Sequence, residues 1–92
     1  MSLNMKDKER QIYDHIIFLL HSRLNMLGMD KSTIHPDYDL LKTGLLDSMS
    51  FVNLVTAMEK KFNVSIDFEL LFEAPEFSRV KELVKVFAAN IK

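Results

Sequence analysis

"TGLLDSMSFVNLVTAMEKKF", residues 43–62, decides how this chain is built. A glycine turn and two leucines lead to an Asp-Ser pair, after which apolar residues recur with helical spacing. Met49, Val52, Val55 and Phe62 line one side of a helix that begins at or just after Asp47 and ends near Phe62. Phe51, Leu54 and Met58 widen that stripe. This is more apolar surface than one core-facing stripe requires, so part of it is expected outside, as a docking patch. Asp47 is a good cap, because its carboxylate can accept a backbone N–H of the first turn; Ser48 competes for the same role. Taken alone, a serine at a helix start is a cap. Here the hydroxyl stands at the mouth of a helix with no obvious base beside it, which raises the alternative that it is a point of attachment.

Upstream, from about Lys8 to Leu27, apolar residues recur at Ile12, Ile16, Leu19, Leu20, Leu24 and Leu27. They form one stripe on a helix that Gly28 is placed to end as a left-handed C-cap. Between Met29 and Leu46 no period holds; Pro36, Gly44 and several Asp, Ser and Thr residues mark a long loop, with Ile34, Tyr38, Leu40 and Leu45 as anchors to the core. Downstream, Asn63 marks a turn and a short helical piece covers Phe68 to Phe72, broken at Ala74-Pro75. Ser78 is expected to cap a last helix in which Val80, Leu83, Val84, Phe87, Ala88 and Ile91 share a face. The fold class is all-α: a small bundle of three main helices plus one short helix. Phe18, Phe62, Phe72 and Phe87 are expected to fill its centre.

The chain has 92 residues, enough for a single domain with its core within about residues 8–91, and no second domain or deep enclosed pocket. Twelve basic against thirteen acidic residues give a formal charge of -1, which argues against nucleic acid as the main partner. Cysteine is absent, so disulfides, thiolate catalysis and cysteine-held metals are excluded. The apolar run in DHIIFLL is too short to span a bilayer and no secretory cleavage pattern follows it, so the expectation is a cytoplasmic protein without an integral membrane segment.

Catalytic machinery is not expected. His15 and His21 are six apart and do not share a helix face; with His35 they offer no metal-ligand spacing. No glycine-rich phosphate loop is present. Asp37, Asp39, Asp67, Glu69 and Glu73 are scattered and read as solvated faces. A self-contained hydrolase has no base to support it.

Gly44, Asp47, Ser48 and Met49 match the "G-x-x-D-S-(L/M)" motif, and apolar positions follow without a gap at Val52, Leu54, Val55, Met58, Phe62 and Ile66. On these residues the chain, from its first helix to about Phe87, resembles the acyl and peptidyl carrier protein family. The resemblance implies a covalent 4'-phosphopantetheine arm on Ser48, attached by a separate phosphopantetheinyl transferase that supplies magnesium, base and coenzyme A. Asp47 would help in that complex, cap the helix, or do both. The arm's thiol would hold a carboxylic acid as a thioester, so the protein would catalyse nothing and would shuttle an activated group between enzymes as a monomer.

"GLLDSM" is similar to D-alanyl carrier proteins and to the carrier domains of peptide synthetases. Fatty-acid carriers usually have an acidic second helix; here Ser50 and Asn53 occupy two of those positions and Lys60 and Lys61 replace later acids, while Glu59 is kept. The resemblance therefore implies aminoacyl or short acyl cargo, an adenylate-forming acyl or aminoacyl ligase that loads it, and a downstream acyltransferase or synthase. Leu46, Met49, Val52 and Thr56 are the expected partner surface, with Phe51 turned inward. A specialised acyl carrier of lipid or secondary metabolism is the alternative cargo class. A helical interaction module without a prosthetic group is the alternative of a different kind.

Overall fold

Apolar spacing produces four helices where the sequence places them. In the computed structural model, which describes residues 7–91, α1 spans Asp7–Leu27, α2 Ser48–Phe62, α3 Phe68–Glu73 and α4 Val80–Asn90. Ile12, Ile16, Leu20 and Leu24 recur every four residues and form the buried stripe of α1. Val80, Leu83, Val84 and Phe87 do the same on α4, and α1 packs most extensively on α4. Among the described residues no helix is long and apolar enough to cross a membrane.

The boundaries follow from local chemistry. Gly28 takes φ +67° and the Met29 N–H reaches back to the Leu24 carbonyl at 2.9 Å, which closes α1 as expected. Leu27, the last residue of α1, is exposed and does not extend the core stripe. A Cβ on Gly28 would meet open space. Gly28→Ala should therefore cost only the left-handed backbone strain, about 1 kcal/mol, read as a small drop in the midpoint of thermal unfolding. Asn63, at φ 55° and ψ 51°, ends α2 in the same conformation. Asp67 caps α3 by accepting the N–H groups of Glu69 and Leu70.

The connection between α1 and α2 contains one 3-10 turn, Lys31–Thr33, that the sequence pattern does not announce. Ile34, Leu40 and Leu45 are buried and Tyr38 packs against the core, so the apolar anchors act as expected. The Tyr13 hydroxyl of α1 donates to the Ile34 carbonyl. Farther on, the loop pairs with the entry to α4: Leu40 N–H donates to the Ser78 carbonyl at 2.9 Å, and Val80 N–H to the Tyr38 carbonyl at 3.0 Å.

That pairing changes the role of Ser78. It does not cap α4: the N-cap residue is Arg79, which makes no side-chain cap bond. The extended backbone turns Ser78 inward, where its hydroxyl donates to Asp39 Oδ1 at 2.6 Å. The aromatic centre also differs from expectation. Phe51 and Phe87 are fully buried and Phe62 packs beside them, whereas Phe18 and Phe72 are exposed. Phe18 lies two residues past Ile16, off the buried stripe, and Leu71 takes the inward position that Phe72 would need.

Candidate functional site

The loop ends where α2 begins. Gly44 adopts φ +81°, a conformation natural to glycine, and Leu45 and Leu46 then insert into the core. Two leucines pulled inward directly after the turn fix the chain there, so that the next residues emerge at the surface as α2 starts. Asp47, Ser48 and Met49 are all exposed.

Asp47 is the cap. Its Oδ1 accepts the Ser50 N–H at 2.8 Å while its carbonyl accepts the Phe51 N–H at 2.9 Å. The Ser50 N–H, then the Ser50 hydroxyl, and beyond a small opposing desolvation the charge of Arg23, hold the Asp47 carboxyl below the usual carboxylate range. With the cap supplied by Asp47, Ser48 is released from that role: it is the first helical residue, and no hydrogen bond engages its hydroxyl among the described residues.

The site suits an anion. The backbone N–H groups of Ser48 and Met49 point out of the helix start with no acceptor among the described residues, and the helix dipole adds partial positive charge there. Nothing in this geometry activates the serine oxygen. No group of three or more His, Cys, Asp or Glu side chains among the described residues is arranged to hold a metal ion. The arrangement presents an exposed hydroxyl beside a helix start that favours an anion.

Around the serine, Met49 is 71 % exposed and Val52 and Thr56 lie on the outer face of α2 with it. Leu46 does not join them: it is 5 % exposed, because the loop must bury it to bring Asp47 to the surface. It supports the outer face from below. Phe51 is inward, as expected. Glu59, the one acid within α2, spends its carboxylate on the Ile66 N–H at 2.7 Å and so fixes the α2–α3 turn.

Sequence reasoning missed Arg23 and Ser50. The Arg23 guanidinium, reaching from α1, donates from Nη2 to Ser50 Oγ at 2.9 Å. The available signal was a cation set between Leu20 and Leu24, beside the buried row of α1, where a solvated role would be out of place.

Compared with known proteins, the chain matches the family described as phosphopantetheine attachment site over residues 24–84. That span holds the loop, all of α2 and α3, and the first half of α4. No curated protein and no solved structure matches it.

Proposed function

We propose, from the premise that this chain belongs to the phosphopantetheine attachment-site family, that Ser48 is the residue bearing the arm. We further propose that the protein is an aminoacyl or short-acyl carrier. The domains of this family carry groups and do not transform them. The observation that supports Ser48 above all is the division of labour at the helix start: Asp47 caps, and the adjacent serine hydroxyl is exposed and unengaged. On attachment the Ser48 oxygen forms a phosphodiester bond, the pyrophosphate link of coenzyme A breaks, and its nucleotide part leaves. Base and magnesium come from the transferase, since such chemistry is mainly positioning and charge stabilisation. The product places an anion at the positive end of α2, where free N–H groups favour it. Bound there, the arm supplies a thiol that holds a carboxylic acid as a thioester.

The test is mass spectrometry of the purified chain after incubation with coenzyme A, magnesium and a broad-specificity phosphopantetheinyl transferase. One added phosphopantetheine, mapped to the peptide containing Ser48, is the expected result. An unchanged mass, or an adduct on another peptide, defeats the assignment. Thioester mass spectrometry from the native host identifies the cargo.

The composition of the outer face supports an adenylate-forming ligase that reads apolar surface. Between Ser48 and Phe62 only Glu59 is acidic, and it is engaged internally. Recognition of the carrier should therefore be nearly independent of ionic strength, its KM changing less than about threefold between about 50 mM and about 0.5 M salt. Met49→Ala should raise that KM roughly tenfold, the effect of losing about 1.5 kcal/mol of buried apolar contact. Steep salt dependence with an indifferent Met49 variant would instead indicate a charge-reading partner.

A further inference from the structure

The helix start that carries Ser48 is held from outside its own helix. Arg23 lies on α1 with Leu20 and Leu24 buried on either side, so its stem runs along the α1–α2 junction while its guanidinium reaches the first turn of α2. Leu19, Leu46, Leu54 and Ala57 line the same groove, of about 240 Å³. The Arg23–Ser50 bond joins α1 to α2, and among the described residues no carboxylate lies within ion-pair distance of the guanidinium.

The bond has a direction. Arg23 can only donate, so it fills a lone pair of Ser50 Oγ and leaves the Ser50 proton to be given elsewhere. The Asp47 carboxylate in turn accepts the Ser50 backbone N–H at 2.8 Å. Arg23, Ser50 and Asp47 are thus linked in series, through the Ser50 hydroxyl and then the Ser50 backbone N–H, ending on the residue next to Ser48. Each link has an ionised partner at one end, which makes it shorter and stronger than a neutral bond. Without Arg23, Ser50 loses its tie to α1 and only the Asp47 cap holds the first turn of α2.

We propose that Arg23 is a positioning residue for the modification of Ser48: through the Ser50 hydroxyl it holds Ser50, and with it the Asp47-capped first turn of α2, in the orientation a transferase must engage. This rests on the assignment of Ser48 as the attachment residue. Modification asks the transferase to align the serine oxygen with a phosphorus atom, and a loosely held first turn lowers the fraction of encounters that are aligned. The loss should appear in kcat, not in KM, because Arg23 lies on α1 in the groove with Ser50, Asn53 and Ala57, apart from the face formed by Met49, Val52 and Thr56.

The experiment measures transferase kinetics on the purified chain, alongside hydrogen exchange of the Ser50 amide. Arg23→Gln should lower kcat about tenfold with KM for the carrier within about twofold, and should speed exchange at Ser50 by a similar factor. Arg23→Lys should recover most of the rate, since a cation is again present to donate. Arg23→Gln in a Ser50→Ala background should cost nothing further, as both act through one hydroxyl. Wild-type kcat in Arg23→Gln, unchanged Ser50 exchange, or multiplying effects in the double variant would each overturn the positioning role. Should Arg23→Gln not fold, Arg23→Lys and the Ser50→Ala background decide the matter. A wild-type chain that gains no arm overturns the Ser48 assignment itself; a wild-type chain that is modified, with Arg23→Gln modified equally fast, overturns this inference alone.

Discussion

Ser48→Ala should abolish phosphopantetheine attachment completely and leave the stability of the bundle within about 0.5 kcal/mol of the parent. The two halves of this expectation have separate causes. Attachment fails because, on the proposed assignment, the serine oxygen is the atom that forms the new bond, and no neighbouring side chain can take its place: Asp47 offers a carboxylate already accepting a hydrogen bond, and Ser50 has its hydroxyl engaged by Arg23. Stability is spared because Ser48 is exposed and contributes no cap, which belongs to Asp47. Alanine also suits the first helical position. The informative contrast is Asp47→Ala, which removes the acceptor of the Ser50 N–H and should loosen the start of α2 while keeping the nucleophile. Reduced but measurable loading of that variant, against none for Ser48→Ala, would separate presentation from chemistry. Full loading of Ser48→Ala would move the attachment point elsewhere, while loss of helical circular dichroism in that variant would assign Ser48 to the framework.

The helices were legible because each buries a regular stripe. Ile12, Ile16, Leu20 and Leu24 recur every four residues, and Val80, Leu83, Val84 and Phe87 at three and four, so period alone located α1 and α4 and their inner faces. The Asp47 cap was legible too, since a short carboxylate before an apolar run has one natural acceptor role. What the sequence hid was contact between segments distant along the chain. Ser78 has the composition of a cap, and only the pairing of residues 38–40 with residues 78–80 shows that it faces Asp39, thirty-nine residues away. Asp39 looked like one more loop acid for the same reason. Leu46 looked like part of an outer patch because neighbours in sequence, Asp47 and Met49, are outside; the alternation is imposed by the turn at Gly44. Arg23 and Ser50 are twenty-seven residues apart, and no spacing rule joins them.

Asp39→Ala should be among the most destabilising single changes in this protein. One carboxylate oxygen, Oδ1, accepts three donors: the Leu41 N–H at 3.1 Å, the Lys42 N–H at 2.9 Å and the Ser78 hydroxyl at 2.6 Å. The second oxygen is buried without a hydrogen-bond partner among the described residues. Alanine would strand the Ser78 hydroxyl in the interior and release the turn that leads to Gly44 and Ser48, at a cost of about 3 kcal/mol, or roughly 15 °C in thermal midpoint for a domain of this size. Asp39→Asn keeps an acceptor for the turn but loses the charge, and sets an amide N–H₂ where the second oxygen has no partner; about half that cost is expected. The pH dependence identifies the cause. Burial works to raise the Asp39 pKa, but the bonds from Lys42, Ser78 and Leu41 outweigh it, and the net shift is downward. A group whose folded-state pKa lies below its unfolded value stabilises the fold above the unfolded value, and that stabilisation is lost as pH falls through the folded one. The gap between parent and Asp39→Asn should therefore be widest near neutrality and shrink as the medium becomes more acidic than about pH 4. Urea midpoints measured at neutral and acid pH test this directly. A gap that holds constant or widens in acid would mean that the ionised carboxylate is not what ties the loop to α4, and the presentation of Ser48 would then rest on the buried leucines alone.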